Sequence, residues 1–450
     1  MNILLPIETI NRELDFKLVL ASYLSGKGHQ IYIGQHDFLM TLAPKMKEGG
    51  LYIGKNLFNL DASEDKGEKY YFLKKHNFNI IYLNEEGAIF FKGEEEMTKR
   101  LKSLYNIDFF DENDDVCVWG SLQKRIEDKR ASNVSIHATG HPRFDLCKKE
   151  WHSLYHSKVK TLLETYNNFI LINGNYVAAN HGLGNEYLFL DKTRYSDAEK
   201  RLNFINVYNY TSKQLTSMIH LTHHLAVLFP KLNFIYRPHP SEDHNYYELV
   251  FSGVKNIHVK HDGPVLPWIL ASKLLLHDGC TTAIEASLAE KPVINYKPIL
   301  DDHYDIWLPN QMGTRMTTID EVVFYIKEMN RNNFNFPSQR INEKVLEYLY
   351  SFNGNSYEAF LKIIEQRIDK DKINSSVPTL NIKKNFLKIS IRDFLIKIFQ
   401  PYKRKHLIYH NTKFYGFSKK DVNQKFENIS KLLKKKIIYK FHNSHLISIQ

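Results

Sequence analysis

Cysteine is scarce in this chain: Cys117, Cys147 and Cys280 are the only three in 450 residues, and they lie too far apart for any CxxC spacing. That argues against a disulfide framework and a cysteine-ligated zinc site. Neither GxxxxGK[ST] nor GxGxxG occurs, so the phosphate loop of ATPases and the dinucleotide fingerprint of Rossmann dehydrogenases are both missing. No uncharged run approaches the roughly 18 residues that a bilayer span needs. The opening MNILLPIETINRELDFK has no charged start and no cleavage site of a signal peptide, and a cytoplasmic protein is expected. The acidic run DENDD at 111–115 is too loosely placed for a metal site. No metal and no cofactor is expected.

What is present points to a large folded protein with an uneven charge. A length of 450 residues exceeds one ordinary core and implies two or three domains. The net charge of +11 is not spread evenly: residues 371–450 hold 18 Lys and Arg against 4 Asp and Glu, a net of +14, which leaves 11 − 14 = −3 for residues 1–370. In KISIRDFLIKIFQPYKRKHLIYH and ISKLLKKKIIYKF the basic residues interleave with Ile, Leu and Phe, as in an interfacial helix. We therefore expect 371–450 to be a basic amphipathic tail that meets an anionic membrane surface. No nucleic-acid motif accompanies the charge, and no nucleic-acid partner is expected.

Before that tail, apolar strands and amphipathic helices alternate. MNILLPI, HQIYIG, NFNIIYLN, DVCVWG and SIHATG read as strands of a first half, 1–155. The pattern restarts with NFILING and continues through NFIYRPH, NIHVKH, KLLLHDG and PVINYKP over 166–345, with 346–370 as a closing helix. Two such halves predict an α/β fold of two doubly wound domains facing a cleft.

Ligands of open α/β sheets bind beyond the C-terminal strand ends, so the residues directly after each strand are the site candidates. Glu85-Glu86-Gly87 is an acidic pair able to tune one carboxyl toward general-base duty. In Arg237-Pro238-His239-Pro240 the prolines fix the backbone, and the pairing of a guanidinium with an imidazole suits an anionic leaving group. Asp278-Gly279-Cys280-Thr281-Thr282 opens a helix, where N–H groups and hydroxyls can hold a phosphate, with Glu285 one turn on to meet ribose hydroxyls. The cluster Glu8, Arg12, Glu13, Asp15 and Lys17 follows the first strand and is a candidate for acceptor binding or an alternative base. His141-Pro142 is a second His-Pro pair, read as structural.

These same stretches, PIETINRELDFKLVLA, LNEEG, TGHPRFDL, YRPHPSED, VLPWILASKLLLHDGCTTAIEASLAEKPVINYKP and LPN, resemble in order the bacterial surface carbohydrate biosynthesis protein family, over most of 1–340. The resemblance implies a GT-B glycosyltransferase with two Rossmann-like domains and a nucleotide-sugar in the cleft. A more distant similarity, to bacterial sialyltransferases, rests on an acidic pair with Gly, a His-Pro and a Ser/Thr pair. It implies that Glu85 deprotonates the acceptor, that His239 assists departure of CMP, and that Thr281 and Thr282 hold its phosphate. Transfer of a nonulosonic acid or Kdo from a CMP-sugar to lipopolysaccharide or capsule, at the inner face of the cytoplasmic membrane, is the resulting expectation. Two alternatives stand beside it: a CDP-glycerol or CDP-ribitol phosphotransferase, and a non-catalytic glycan-assembly scaffold.

Overall fold

The computed structural model describes residues 1–58, 65–130, 133–190, 197–301, 303–331, 343–371 and 381–450. Two units emerge. Residues 1–87, 94–154 and 343–450 form the first, and residues 88–93 and 155–342 the second. Each is α/β with its own largely or wholly parallel sheet, so the expected pair of Rossmann-like domains is what the chain builds.

In the first unit β1 (Asn2–Ile7), β2 (Gln30–Gln35), β3 (Gly50–Gly54), β4 (Phe78–Leu83), β5 (Asp115–Val118) and β6 (Ser135–Ala138) run parallel. Every residue of β1 and β3 is buried, which is why these strands read as continuous apolar runs instead of alternating ones. The spatial order is β2-β1-β3-β4-β5-β6. It reverses direction between β1 and β3, and the C-terminal ends of those two strands are where such a sheet leaves room for polar groups.

The second unit carries β7 (Phe169–Gly174), β8 (Asn233–Arg237), β9 (Ile257–Val259), β10 (Leu274–Asp278), β11 (Val293–Tyr296) and β12 (Thr314–Met316), all parallel. Its order is β9-β8-β7-β10-β11-β12, the 3-2-1-4-5-6 arrangement of a Rossmann sheet, reversing between β7 and β10. Ile170, Ile172, Leu274 and Leu276 fill one side of the sheet against Leu221 and Leu225 of the helix Ala198–Leu228.

The expected tail needs correcting, because residues 419–450 are built into the sheet and helix layer of the first unit. Helix Lys419–Leu433 packs on helix Ile10–Leu24, with Lys425 Nζ 2.7 Å from Asp15. After it, β13 (Tyr439–Asn443) and β14 (Leu446–Ile449) form a hairpin, and β14 pairs antiparallel with β2, Ile447 opposite Ile33. Gly34 is required here, since a Cβ would lie 2.7 Å from the His445 carbonyl oxygen. Lys435 donates to the carbonyls of Ser22 and Ser25 at the end of helix Ile10–Leu24, where a cation complements the helix dipole. The charge there holds the fold. The expected domain boundaries shift accordingly: the segment from 343 onward returns to the first unit and residues 88–93 belong to the second. Helices Ile382–Phe399 and Pro401–Lys413 keep the basic character that was expected of the whole stretch.

Ending the chain at Leu433 should therefore damage the first unit. Leu446, Ile447 and Ile449 are fully buried, and each such side chain contributes roughly 1.5–3 kcal/mol. The expected result is a melting temperature clearly below that of the full chain and binding of a hydrophobic dye at the opened β2 edge. Identical melting of both chains would show the hairpin to be dispensable.

Candidate functional sites

At the reversal point of the first sheet the strand ends deliver an unusual density of charge. Glu8 follows β1, Lys55 follows β3, Glu85 and Glu86 follow β4, and His141 and Arg143 follow β6. Lys17 enters from helix Ile10–Leu24. Its ammonium is buried, donates to the Pro6 carbonyl, and lies 3.2 Å from Glu13 Oε2 and 3.3 Å from Glu85 Oε1. Around this triad, Lys55 stands 3.0 Å from Glu8 and 3.4 Å from Glu86, while Arg12 and Arg100 approach Glu86 at 3.5 and 3.0 Å.

The electrostatics separate the two buried acids. Burial pushes the Glu85 carboxyl up, but Lys17, Lys55 and Arg12 together outweigh it and hold the group below the usual glutamate value. Glu13 moves the other way, raised by burial and by the Glu85 charge. Glu85 is thus the more acidic member of the pair. Its Oε1 meets Lys17, whereas its Oε2 is buried with no hydrogen-bond partner. Glu8 is pushed up by burial yet brought down to about 2 by Lys55, Lys413 and Arg12. Lys55 beside Glu86 keeps that carboxyl far below its ordinary range.

The loop carrying Glu85 is rigid. Asn84 accepts from the Trp119 indole N–H, and its side-chain oxygen accepts from the Glu86 N–H at 3.1 Å. Gln123 donates to the Gly87 carbonyl at 2.8 Å, and a Cβ on Gly87 would lie 2.8 Å from the Trp119 ring. Only glycine lets the chain pass that indole.

Two residues expected to bind acceptor have other work. Both Glu13 oxygens accept backbone N–H groups at the helix start, from Glu8 at 3.0 Å and Thr9 at 3.2 Å, so Glu13 locks the strand-to-helix turn. Asp15 is paired with Lys425 under the C-terminal helix. Of the expected cluster, Glu8, Arg12 and Glu13 come together with Glu85; Asp15 does not.

In the second unit His239 occupies the loop after β8. Its Nδ1 accepts from the Ser241 N–H at 3.2 Å, which leaves the proton of the neutral ring on Nε2. Glu242 fixes the same loop: its oxygens accept from the Tyr176 N–H at 2.7 Å and the Tyr247 hydroxyl at 2.5 Å, and its own N–H donates to the His239 carbonyl at 2.9 Å. Pro240 is exposed. Arg237 corrects the expected phosphate contact, because its buried guanidinium donates to the Asp262 carbonyl at 3.0 Å and to Gly263, and lies over the Trp268 ring. It clamps the 261–263 loop.

Beyond β10, the turn expected to hold phosphate is organised by side chains that sequence reasoning passed over. Gly279, at φ +61°, donates its N–H to Asn310 Oδ1 at 2.7 Å. Lys297 reaches Asp278 at 2.8 Å, Asp305 at 2.7 Å and the Tyr210 hydroxyl at 2.8 Å. Helix Thr282–Leu288 is only seven residues long; Thr281 at its N-cap makes no side-chain cap bond, and Thr282 and Glu285 are buried. Beside these strands opens a polar recess of about 180 Å³ lined by Lys92, Asn295, Asp305, Trp307, Asn310 and Arg315. The LPN stretch containing Asn310 was the one signal for it in the sequence. Among the described residues no group of three or more His, Cys, Asp and Glu side chains is placed to hold a metal ion, and no helix is long and apolar enough to cross a membrane.

No family model matches the chain, and no curated protein matches it. Solved structures similar to it include the UDP-GlcNAc 2-epimerase of Methanocaldococcus jannaschii, 10% identical over 81% of this chain and 100% of the other with a TM-score of 0.46. The UDP-GlcNAc 2-epimerase of Neisseria meningitidis is 12% identical over 81% and 100%, with a TM-score of 0.47. The wall teichoic acid polymerase TagF is 11% identical over 83% and 89%, with a TM-score of 0.44.

Two outcomes follow from the buried charges. Replacing Lys17 by Met removes the cation in direct contact with two buried carboxyls, at a cost of about 3–5 kcal/mol. Urea unfolding should show that loss, and adding Glu85→Gln to Lys17→Met should recover part of it. Glu242 supplies a pH signature, since burial raises its pKa from 4.5 to about 8. The folded state binds that proton more tightly, so its contribution is full below the unfolded value and fades as pH rises through the folded one. Glu242→Gln should therefore raise the melting temperature at pH 8 and change it little at pH 5.

Proposed function

We propose that this chain is a glycosyltransferase of surface-polysaccharide synthesis that takes its sugar from a nucleotide-activated donor, with the second unit serving the donor and the first the acceptor. A CMP-sugar is the donor the motifs favour, and a nonulosonic acid or Kdo the sugar. The observation that carries the reading is Glu85: a rigidly held, ionised carboxylate at the functional edge of its sheet, with one oxygen unpartnered.

In this reading the acceptor hydroxyl gives its proton to Glu85 Oε2 as its oxygen bonds to the anomeric carbon. The bond from that carbon to the phosphate oxygen breaks, and the nucleotide leaves with the electron pair. A carboxylate of low basicity takes the proton late, once bonding to an oxocarbenium-like carbon has acidified the hydroxyl. His239 Nε2–H hydrogen-bonds the departing phosphate. Lys92 and Arg315 give the recess beside β10 to β12 positive charge suited to the same anion. Gly279, Thr281, Thr282 and Glu285 frame the donor end through the backbone turn they form.

Glu85→Gln should cut turnover by roughly two to four powers of ten while donor affinity stays within a few-fold. His239→Ala should lower turnover and weaken nucleotide binding. The assay follows sugar release from a panel of CMP-, UDP- and CDP-linked donors, chosen by which of them raise the melting temperature. Near wild-type turnover in Glu85→Gln would remove Glu85 as the base.

A further inference from the structure

Helix Ile382–Phe399 carries two apolar seams instead of one. The first faces the body of its unit: Ile389 is buried, and the Phe386 ring lies 6.3 Å from that of Phe38 and 5.3 Å from that of His445. The second faces water. It consists of Leu387, Ile391, Phe394 and Ile398, spaced four, three and four residues apart, with exposures of 59%, 49%, 62% and 53%. Such spacing makes a continuous stripe along one helix face. Of the 19 large hydrophobic side chains exposed among the described residues, seven fall within 382–413, so the exposure is concentrated and not scattered.

The charges follow the stripe. At 100° per residue, Lys384, Lys388 and Arg392 border it on one side and Lys383 and Lys397 on the other. Helix Pro401–Lys413 packs on this one and adds the exposed Lys403, Arg404 and Ile408. Over 382–413 there are nine Lys and Arg against the single acid Asp393, and Asp393 is half-buried and paired with Arg392 at 2.8 Å. A helical protein partner would be met by mixed charges beside the stripe. An apolar stripe with cations on both flanks matches acyl chains below and anionic headgroups around it.

We propose that the helix pair 382–413 is a docking surface for an anionic phospholipid bilayer, with Leu387, Ile391, Phe394 and Ile398 inserted among the acyl chains and the flanking Lys and Arg at the headgroups. The segment 419–450 is basic too, but part of its charge is spent within the protein. Its Lys425 and Lys435 are committed to the fold. The surface acts independently of which donor the enzyme uses.

The test is flotation of the full chain with vesicles of phosphatidylcholine alone and with about a quarter phosphatidylglycerol. Binding should require the anionic lipid and weaken several-fold from low to near-physiological salt. The triple variant Ile391→Ser, Phe394→Ser, Ile398→Ser should lose about tenfold in vesicle partitioning, with an unchanged melting temperature because the replaced side chains are exposed. Lys384→Gln, Lys388→Gln and Arg392→Gln together should abolish the preference for anionic lipid. The single variant Phe394→Ser checks the direction should the triple variant melt early. A wild-type chain that stays unbound overturns the proposal, as does a serine variant that floats equally well. So does a wild-type dimer that the serine variant converts to monomer, since a second copy would then cover the stripe.

Discussion

The first unit is organised around one buried ammonium. Lys17 holds together the end of β1 through the Pro6 carbonyl, the start of the first helix through Glu13, and the loop after β4 through Glu85. A buried cation is tolerated only where acceptors surround it, and a buried carboxylate only where a cation does. The three groups therefore specify one another. Glu13 gains a further function from this placement, because its oxygens also take the N–H groups of Glu8 and Thr9 and so fix where the helix begins. The strand end, the helix start and the loop after β4 are then positioned relative to a single point.

The same constraint sorts the two His-Pro turns. Both imidazoles accept at Nδ1 from the N–H two residues on, Arg143 at 3.1 Å and Ser241 at 3.2 Å. Their surroundings differ. His141 is fully buried with Phe16 and Trp119 against its ring, and burial together with Arg143 and Lys17 drives its pKa far below the ordinary histidine value. It is a neutral packing element beside the charged cluster. His239 is only partly buried on a loop anchored by Glu242. Identical local geometry thus produces a fixed core ring in one unit and a partly exposed ring in the other.

The sheets were legible in the sequence because their strands are buried on both faces. NILLPI, FILING and LLLHD announce themselves without any partner. The C-terminal hairpin did not, and the reason is the distance of what it pairs with. The run KLLKKKIIYKF looks locally like one amphipathic helix, yet Lys434 takes a left-handed conformation and ends the helix at Leu433, and the chain then pairs beside β2, some 400 residues earlier. Helical periodicity is a short-range signal; strand pairing is set by an edge that the local sequence cannot see. Lys17 was seen as part of a polar cluster, but its partner Glu85 lies 68 residues on. Asn310 and Lys297 were missed for the same reason.

Charge count alone is therefore a poor guide to what the basic C-terminal region does. Within 371–450 three uses of lysine coexist. Lys425 neutralises a buried-side aspartate across a helix interface, Lys435 closes the carbonyl end of a helix, and Lys384 and Lys388 border an apolar stripe turned to water. The first two are saturated by protein acceptors and gain nothing from an external anion. The third set faces solvent on a helix whose other side is already packed, and it leaves both charge and apolar area to be covered. Sequence composition sums over these uses. The structure separates them by asking where each ammonium finds its acceptors.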